Sequence, residues 1–470
     1  MQVRKGLTRA ILEGRISMDL PLPSGRELAQ QLKVSRNTIV LAYQRLVDEG
    51  YLISRERQGY FVNPAILRST PLFQDEQEIT ATGTPNWQTR LNIDLSVQRN
   101  IQKPVDWQTY KYPFIYGQSD PALFPIADWR ECVRQSQSVA LIAAGSLDYI
   151  DQDDEVLVEE LCIRVLPRRG IWIKPENLLV TIGAQNALSI ISQLLFNKDT
   201  VIGIENPGYP DARNLFLLRT EQLVLLDIDE NGLVINDKID RCDYVYVTPS
   251  HQSPTTATMP LDRRKALLEK ATMHDLIIIE DDYESEANYI HQANPALKSL
   301  DKDNRVIYCG SLSKSLAPGL RLGFLVADSE LIQQARMLRR LLLRHPPALV
   351  QRTVALFLQL GHYDSHINRI SQVLKRRWEH MCAALEQYLP DSTDIPEFGG
   401  TAFWVRGPAA CDARMLAQSC AVQSILIEPG DVHFGQDQPP MNYFRLGFSS
   451  ITEDRINDGI SLLSKKIDRM

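Results

Sequence analysis

The run Tyr308-Cys309-Gly310-Ser311-Leu312-Ser313-Lys314-Ser315-Leu316-Ala317-Pro318-Gly319-Leu320-Arg321-Leu322-Gly323-Phe324 decides the reading of this chain. A single lysine sits among small hydroxyl residues in a loop bounded by glycines, with an arginine seven positions on. The apolar run Val306, Ile307, Tyr308 before it reads as a strand, so Lys314 is expected at a strand's end, where open α/β sheets place their ligands. A lysine there can form a Schiff base with an aldehyde, and flanking hydroxyls with an arginine fork suit a phosphate. Aldehyde plus phosphate describes pyridoxal 5′-phosphate (PLP). On this loop alone, a surface lysine in a polar turn reads equally well.

A second stretch breaks the tie. Leu276-Ile277-Ile278-Ile279 has the character of a buried parallel strand and runs into Glu280-Asp281-Asp282-Tyr283-Glu284. A carboxylate at a strand's end can pair with a protonated pyridine nitrogen and keep the cofactor an electron sink. Asp281 and Tyr283 are two apart, so an extended backbone points them to the same side. The tyrosine hydroxyl is then in reach of the cofactor's phenolic oxygen.

Together these stretches resemble the aspartate-aminotransferase superfamily, fold type I of the PLP enzymes. The match is Ser311-x-Ser313-Lys314 with the later Arg321-x-Gly323, preceded by Asp281-x-Tyr283, where Asp281 lies 33 positions before the lysine. The resemblance implies Lys314 as the Schiff-base lysine, with Ser311, Ser313 and Arg321 on the phosphate. It also implies Asp281 on the ring nitrogen and Tyr283 on the phenolic oxygen.

At 470 residues the chain is too long for one ordinary domain. Its net charge of −7 is unevenly spread. Residues 1–62 hold ten Lys/Arg against six Asp/Glu, a local +4 that leaves −11 on the remainder. A basic segment on an acidic body suggests an anion-binding appendage. The seven cysteines are odd in number and include no CxxC, which favours reduced thiols over a disulfide frame or a metal site. No apolar run approaches the roughly 20 residues of a membrane span, and no signal peptide is evident, so a soluble, cytoplasmic protein is expected.

In the basic segment, Val3, Leu7, Ala10 and Ile11 form a helical stripe. Ser24-Gly25-Arg26-Glu27 has the pattern of a capping box. Ser35 is a second N-cap, and the helix it opens is expected to bury Val40, Ala42, Tyr43, Leu46 and Val47. Two short helices joined by a turn make a helix-turn-helix, whose second helix presents its first residues to the major groove. Ser35, Arg36, Asn37 and Thr38 occupy that position, and Arg36 and Asn37 can donate to bases or phosphates. Tyr51–Ser54 and Tyr60–Val62 read as a hairpin with Arg55, Arg57, Gln58 and Gly59 at its turn, a basic wing.

The segment is similar to GntR-type winged helices, matching P-S-x-R-E-L-A, V-S-R-x-T and the Tyr43 to Tyr51 stretch. The resemblance implies Arg26, Ser35, Arg36, Asn37, Thr38, Arg57 and Gly59 as DNA contacts. The wing carries Glu56-Arg57 where that family often has Pro-Gly.

Residues 64–111 lack periodicity and are rich in Gln, Thr, Asn and Pro, which reads as a linker whose later part, with Trp107 and Tyr110, can dock on the body. From 112 to 470 strand and helix patterns alternate, implying a mainly parallel sheet covered by helices. Leu178–Thr181 leads through Gly183, Ala184 and Gln185 into a helix, a backbone anion site. The resemblance makes Tyr209 the residue that stacks on the pyridine ring and Arg445 the clamp on an effector's carboxylate; a structural ion pair is the other reading for Arg445. Where many relatives have an asparagine against the phenolic oxygen, this chain has Ser250-His251-Gln252, and Thr255-Thr256 replace the usual Thr-Gly.

The whole chain resembles the MocR family: a winged helix-turn-helix (1–63), a linker (64–111) and an aminotransferase-like domain (112–470). The expected fold is therefore an α/β fold type I domain with a small C-terminal α+β domain, preceded by the winged helix. The resemblance implies a transcription regulator that binds double-stranded operator DNA with repeated half-sites, as a head-to-tail domain-swapped homodimer. It implies sensing of an amine or amino-acid effector that displaces Lys314 and forms an external aldimine, or sensing of PLP itself. A working aminotransferase is the rival, since every residue it needs is present and slow half-transamination remains compatible with the sequence. The DNA-reading helix is what such an enzyme has no use for.

Overall fold

The computed structural model describes residues 2–69, 85–292 and 294–469. The chain divides into two compact units, Met1–Asn92 and Ile93–Met470.

In the first unit, helices Gln2–Leu12, Gly25–Gln31 and Arg36–Asp48 pack around Ile11, Leu28, Ile39, Tyr43 and Leu46. The capping box forms: Ser24 Oγ accepts from the Glu27 N–H at 3.2 Å, and the Ser24 N–H donates to Glu27 Oε2 at 2.9 Å. Ser35 caps the third helix by accepting from the Thr38 N–H at 3.2 Å. One expectation is corrected here. Val40 is exposed and Ile39 is buried in its place, because Ile39, Tyr43 and Leu46 make the i, i+4, i+7 stripe and Val40 lies a third of a turn off it. Strands Leu52–Arg55 and Gly59–Val62 pair antiparallel, with Arg55 opposite Gly59. In the turn between them Arg57 holds a left-handed φ of 58°, the conformation in which the glycine common in that family is unstrained.

Residues 70–84 of the expected linker lie outside those described. From Ile93 onward the chain belongs to the second unit. The Asn214 side chain donates to the Arg99 carbonyl at 3.0 Å, Arg99 donates to the Gln436 carbonyl at 3.0 Å, and the Lys111 N–H donates to Ser424 Oγ at 2.7 Å. Polar residues without periodicity are held here by long-range hydrogen bonds, which leave no trace in local sequence.

The second unit is built on an eight-stranded sheet, in spatial order Leu178–Thr181, Gly323–Val326, Val306–Ser311, Ile277–Asp282, Tyr244–Val247, Ile202–Asn206, Leu223–Asp229 and Gly232–Leu233. The five from Val306–Ser311 to Leu223–Asp229 pair parallel, while Gly323–Val326 is antiparallel to both its neighbours. Apolar clusters cover both faces: Ile190, Phe216 and Ile279 lie in one, Val245, Leu267 and Ile278 in the other. Such two-sided burial is why these strands are continuously aliphatic. A smaller three-stranded antiparallel sheet, Ala402–Arg406, Tyr443–Gly447 and Glu428–Pro429, packs with helices His362–Tyr388 and Glu453–Ile467. The architecture is the fold type I arrangement expected. Among the described residues no helix is long and apolar enough to cross a membrane.

Candidate functional site

The site forms where the strands of the large sheet end. Cys309 pairs with Asp281, Ser311 with Gly323, and Gly323 with Thr181, so the acidic strand end, the lysine loop and the Gly183 turn share one edge of the sheet.

Alternation along the backbone sorts the acidic run. Glu280 accepts from the Leu297 and Lys298 N–H groups, both at 2.8 Å, and so holds the start of the helix Leu297–Leu300. Asp282 accepts from Arg169 Nε at 2.8 Å and from the Tyr308 hydroxyl at 2.9 Å. Asp281, pointing the other way, accepts from the Tyr246 hydroxyl at 2.7 Å through Oδ2, while Oδ1 is buried without a partner. Burial raises its pKa to about 6, against the Tyr246 hydrogen bond, and neighbouring Asp282 adds to the rise. A buried carboxylate oxygen with no donor is the environment a pyridinium N–H fits.

Lys314 stands over the ring of Tyr116, its Nζ 4.2 Å from the centroid, and 5.9 Å from that of Tyr283. Burial pushes its pKa down to about 8; Glu284 opposes this, and Lys103 and Arg445 reinforce it. The lysine therefore has a share of the free amine that attacks an aldehyde at neutral pH. Glu284 accepts from the Thr401 hydroxyl at 2.6 Å.

At the phosphate end, Gly183 opens the helix Gly183–Leu195 with φ 74°. A Cβ there would come 3.0 Å from Arg321 Nη2, so the absence of a side chain lets the guanidinium lie against the helix start. Arg321 is itself left-handed at φ 50°. Its only polar contacts among those described are 3.5 Å approaches to the Ile182 carbonyl and Gln185 Oε1. A guanidinium beside unspent N–H groups, with no carboxylate partner among the described residues, fits an anion. Ala184 lies in the same first turn, and Gln185 Nε2 reaches the Tyr209 hydroxyl at 3.4 Å and Asp211 at 2.5 Å. These residues can hold PLP.

Two of the expected site residues have partners within the chain. Ser313 is not free for a phosphate: its hydroxyl donates to the Leu322 carbonyl at 3.2 Å and accepts from the Leu322 N–H at 3.1 Å. Its one proton is spent on bracing the loop, leaving Ser311 as the unengaged hydroxyl beside the lysine. Arg445 is not a vacant clamp. Its guanidinium stacks 3.6 Å from the Tyr116 ring centroid and pairs with Glu428 on the adjacent strand, Nε to Oε1 at 2.8 Å. Glu428, fully desolvated, is held down at about 2 chiefly by Arg445, with His433 at 3.3 Å adding to this.

Tyr246, Tyr116, Lys103, Glu284 and Glu428 were not singled out from sequence. A cavity of about 470 Å³, lined in part by Trp107, Phe124, Tyr283, Glu284 and Lys314, opens beside the lysine but does not reach Asp281, Gly183 or Arg321.

Residues Ser35 to Thr38, Arg26, Arg57 and Gly59 are all exposed on the first unit. None of the three arginines has a carboxylate partner among the described residues.

Comparison with known proteins matches residues 114–461 to "Aminotransferase class I and II" and residues 1–62 to "Bacterial regulatory proteins, gntR family". The HTH-type transcriptional regulator TauR of Rhodobacter capsulatus is 40% identical over 99% of this chain and 96% of its own. The probable rhizopine catabolism regulatory protein MocR of Rhizobium meliloti is 28% identical over 98% and 92%. The chain belongs to the MocR family of HTH-type regulators. The body of this MocR-family chain superposes on a kynurenine aminotransferase of Pyrococcus horikoshii, solved in complex with PMP. The TM-score is 0.73 and identity 26%, over 82% of this chain and 98% of that one.

Proposed function

We propose that the chain is a PLP-dependent, DNA-binding transcription regulator of the cytoplasm that senses an amine or amino-acid effector by covalent exchange at Lys314. The observation that carries this reading is one chain holding both a cofactor-ready Asp281–Lys314 site and an exposed, capped reading helix. When bound, PLP supplies an aldehyde and an electron-withdrawing ring. Asp281 would pair with the ring nitrogen, Tyr283 with the phenolic oxygen, and Tyr209 would stack on the ring. Gly183, Ala184, Gln185, Ser311 and Arg321 take the phosphate. Lys314 would hold the aldehyde, its amine partly unprotonated at neutral pH. Arg36 and Asn37 read the major groove, with Arg26, Ser35, Thr38, Arg57 and Gly59 on the backbone. The protein acts as a head-to-tail homodimer on an operator with two half-sites. An effector regulates only through differential affinity for two conformations of that dimer.

The experiment is an absorbance titration of the cofactor-loaded protein with amines, run beside a gel shift on its own promoter. An amine that changes both, without keto-acid product, supports the sensor. Turnover to pyridoxamine phosphate without any DNA binding would make the protein an aminotransferase.

A further inference from the structure

Three basic groups gather around the ring of Tyr116, and two of them, Lys103 and Lys314, have no ion pair among the described residues. Lys314 Nζ, Lys103 Nζ and Arg445 Cζ lie 4.2, 5.4 and 3.6 Å from the ring centroid. Arg445 has Glu428, with two guanidinium nitrogens on one carboxylate oxygen. Lys103 makes one described hydrogen bond, to the Tyr116 carbonyl at 2.6 Å, and no ion pair among the described residues. An ammonium has three donors, so two remain. Lys103 is also close to Lys314: a Cβ on Gly117 would lie 2.7 Å from Lys314 Nζ and 3.1 Å from Lys103 Nζ. The two amines are therefore separated by no more than the sum of those distances.

We propose that Lys103 receives the acidic group of the effector, and that the effector is a short amino acid that places its amine beside Lys314 and its acid against Lys103. The inference rests on the sensor reading above and names its ligand class. Arg445, which Glu428 already neutralises, becomes the second positive group behind Lys103. A short chain is required because the two lysine nitrogens are near one another. A long diamine would place a further cation beside Lys103 and Arg445, where like charges repel. Partial burial already disfavours the Lys103 ammonium, with Glu428 opposing, so an incoming anion gains a charge-assisted hydrogen bond in a setting poor in water.

The test is an absorbance titration of the cofactor-loaded protein with glycine, β-alanine and γ-aminobutyrate, each against the alkylamine of the same length. The wild type is expected to prefer at least one amino acid over its alkylamine by about tenfold or more. Lys103→Met should reduce that ratio to near one, while Lys103→Arg keeps most of it. Because the readout is a ratio within one variant, a general loss of stability cancels. If no amine changes the wild-type spectrum, the sensor reading fails and this inference with it. If the wild type prefers the acid and Lys103→Met prefers it equally, the sensor stands and the Lys103 assignment is overturned. Equal affinity of wild type for acid and alkylamine in all pairs also overturns it.

Discussion

The Tyr246 hydroxyl donates a 2.7 Å hydrogen bond to Asp281 Oδ2 and leaves Oδ1 buried with no donor. The carboxylate is thus half-satisfied, and its pKa of about 6 is the consequence of burial. A raised carboxyl pKa means the folded protein binds a proton that the unfolded chain has released. Between the ordinary carboxylate range and about pH 6, rising pH therefore costs stability. A pyridinium at Oδ1 removes that cost. The rise in melting temperature on adding PLP should grow from pH 5 to pH 7, and Asp281→Asn should flatten this dependence. Differential scanning fluorimetry across that range checks it.

Tyr246→Phe removes the single donor and leaves both oxygens of Asp281 unpaired. The loss of a hydrogen bond to a buried charge costs about 1–3 kcal/mol, so cofactor retention on dialysis should fall roughly tenfold or more.

Glu428 is held at about 2 by Arg445 and His433. Its contribution to stability is present above the ordinary carboxylate range and is lost as pH falls toward 2. Glu428→Gln, which leaves Arg445 buried without a counter-charge, should cost about 3 kcal/mol at pH 7. The deficit should narrow below about pH 4, as read by urea denaturation at both pH values.

Gly183→Ala combines a left-handed φ with a Cβ 3.0 Å from Arg321. It should cost about 1–2 kcal/mol in stability and displace the guanidinium, weakening PLP binding more than the melting temperature alone indicates. Equilibrium binding by fluorescence separates the two effects.

Arg36→Ala should weaken promoter binding and relax the sequence preference at the base it reads while leaving the cofactor spectrum intact. Unchanged gel-shift affinity at two salt concentrations would remove Arg36 from the DNA contacts.

What was legible in the sequence was local chemistry. The Lys314 loop, the Asp281-x-Tyr283 strand end and the capping residues Ser24 and Ser35 each announce themselves within a few positions. The partners of those groups do not. Tyr246 is 35 positions from Asp281 and reads as an aromatic strand residue until the sheet places the two side by side. Glu428 reaches Arg445 only through strand pairing, so the sequence alone left clamp and ion pair both open. Lys103 sits in a stretch that composition marks as a linker, and only its bond to Tyr116 reveals that it belongs to the site. Ser313 matched a motif whose chemistry its own loop consumes.

The central claim is that chemistry at Lys314 changes DNA binding, and one measurement addresses it directly. Promoter affinity is measured by fluorescence anisotropy while amino acids are titrated into the wild type and into Lys314→Ala, with the visible spectrum recorded in parallel. The account predicts that one short amino acid shifts the wild-type spectrum and promoter affinity over the same concentration range. Lys314→Ala should lose the cofactor band and the response, yet still bind DNA. A promoter affinity that responds equally in Lys314→Ala would contradict the account.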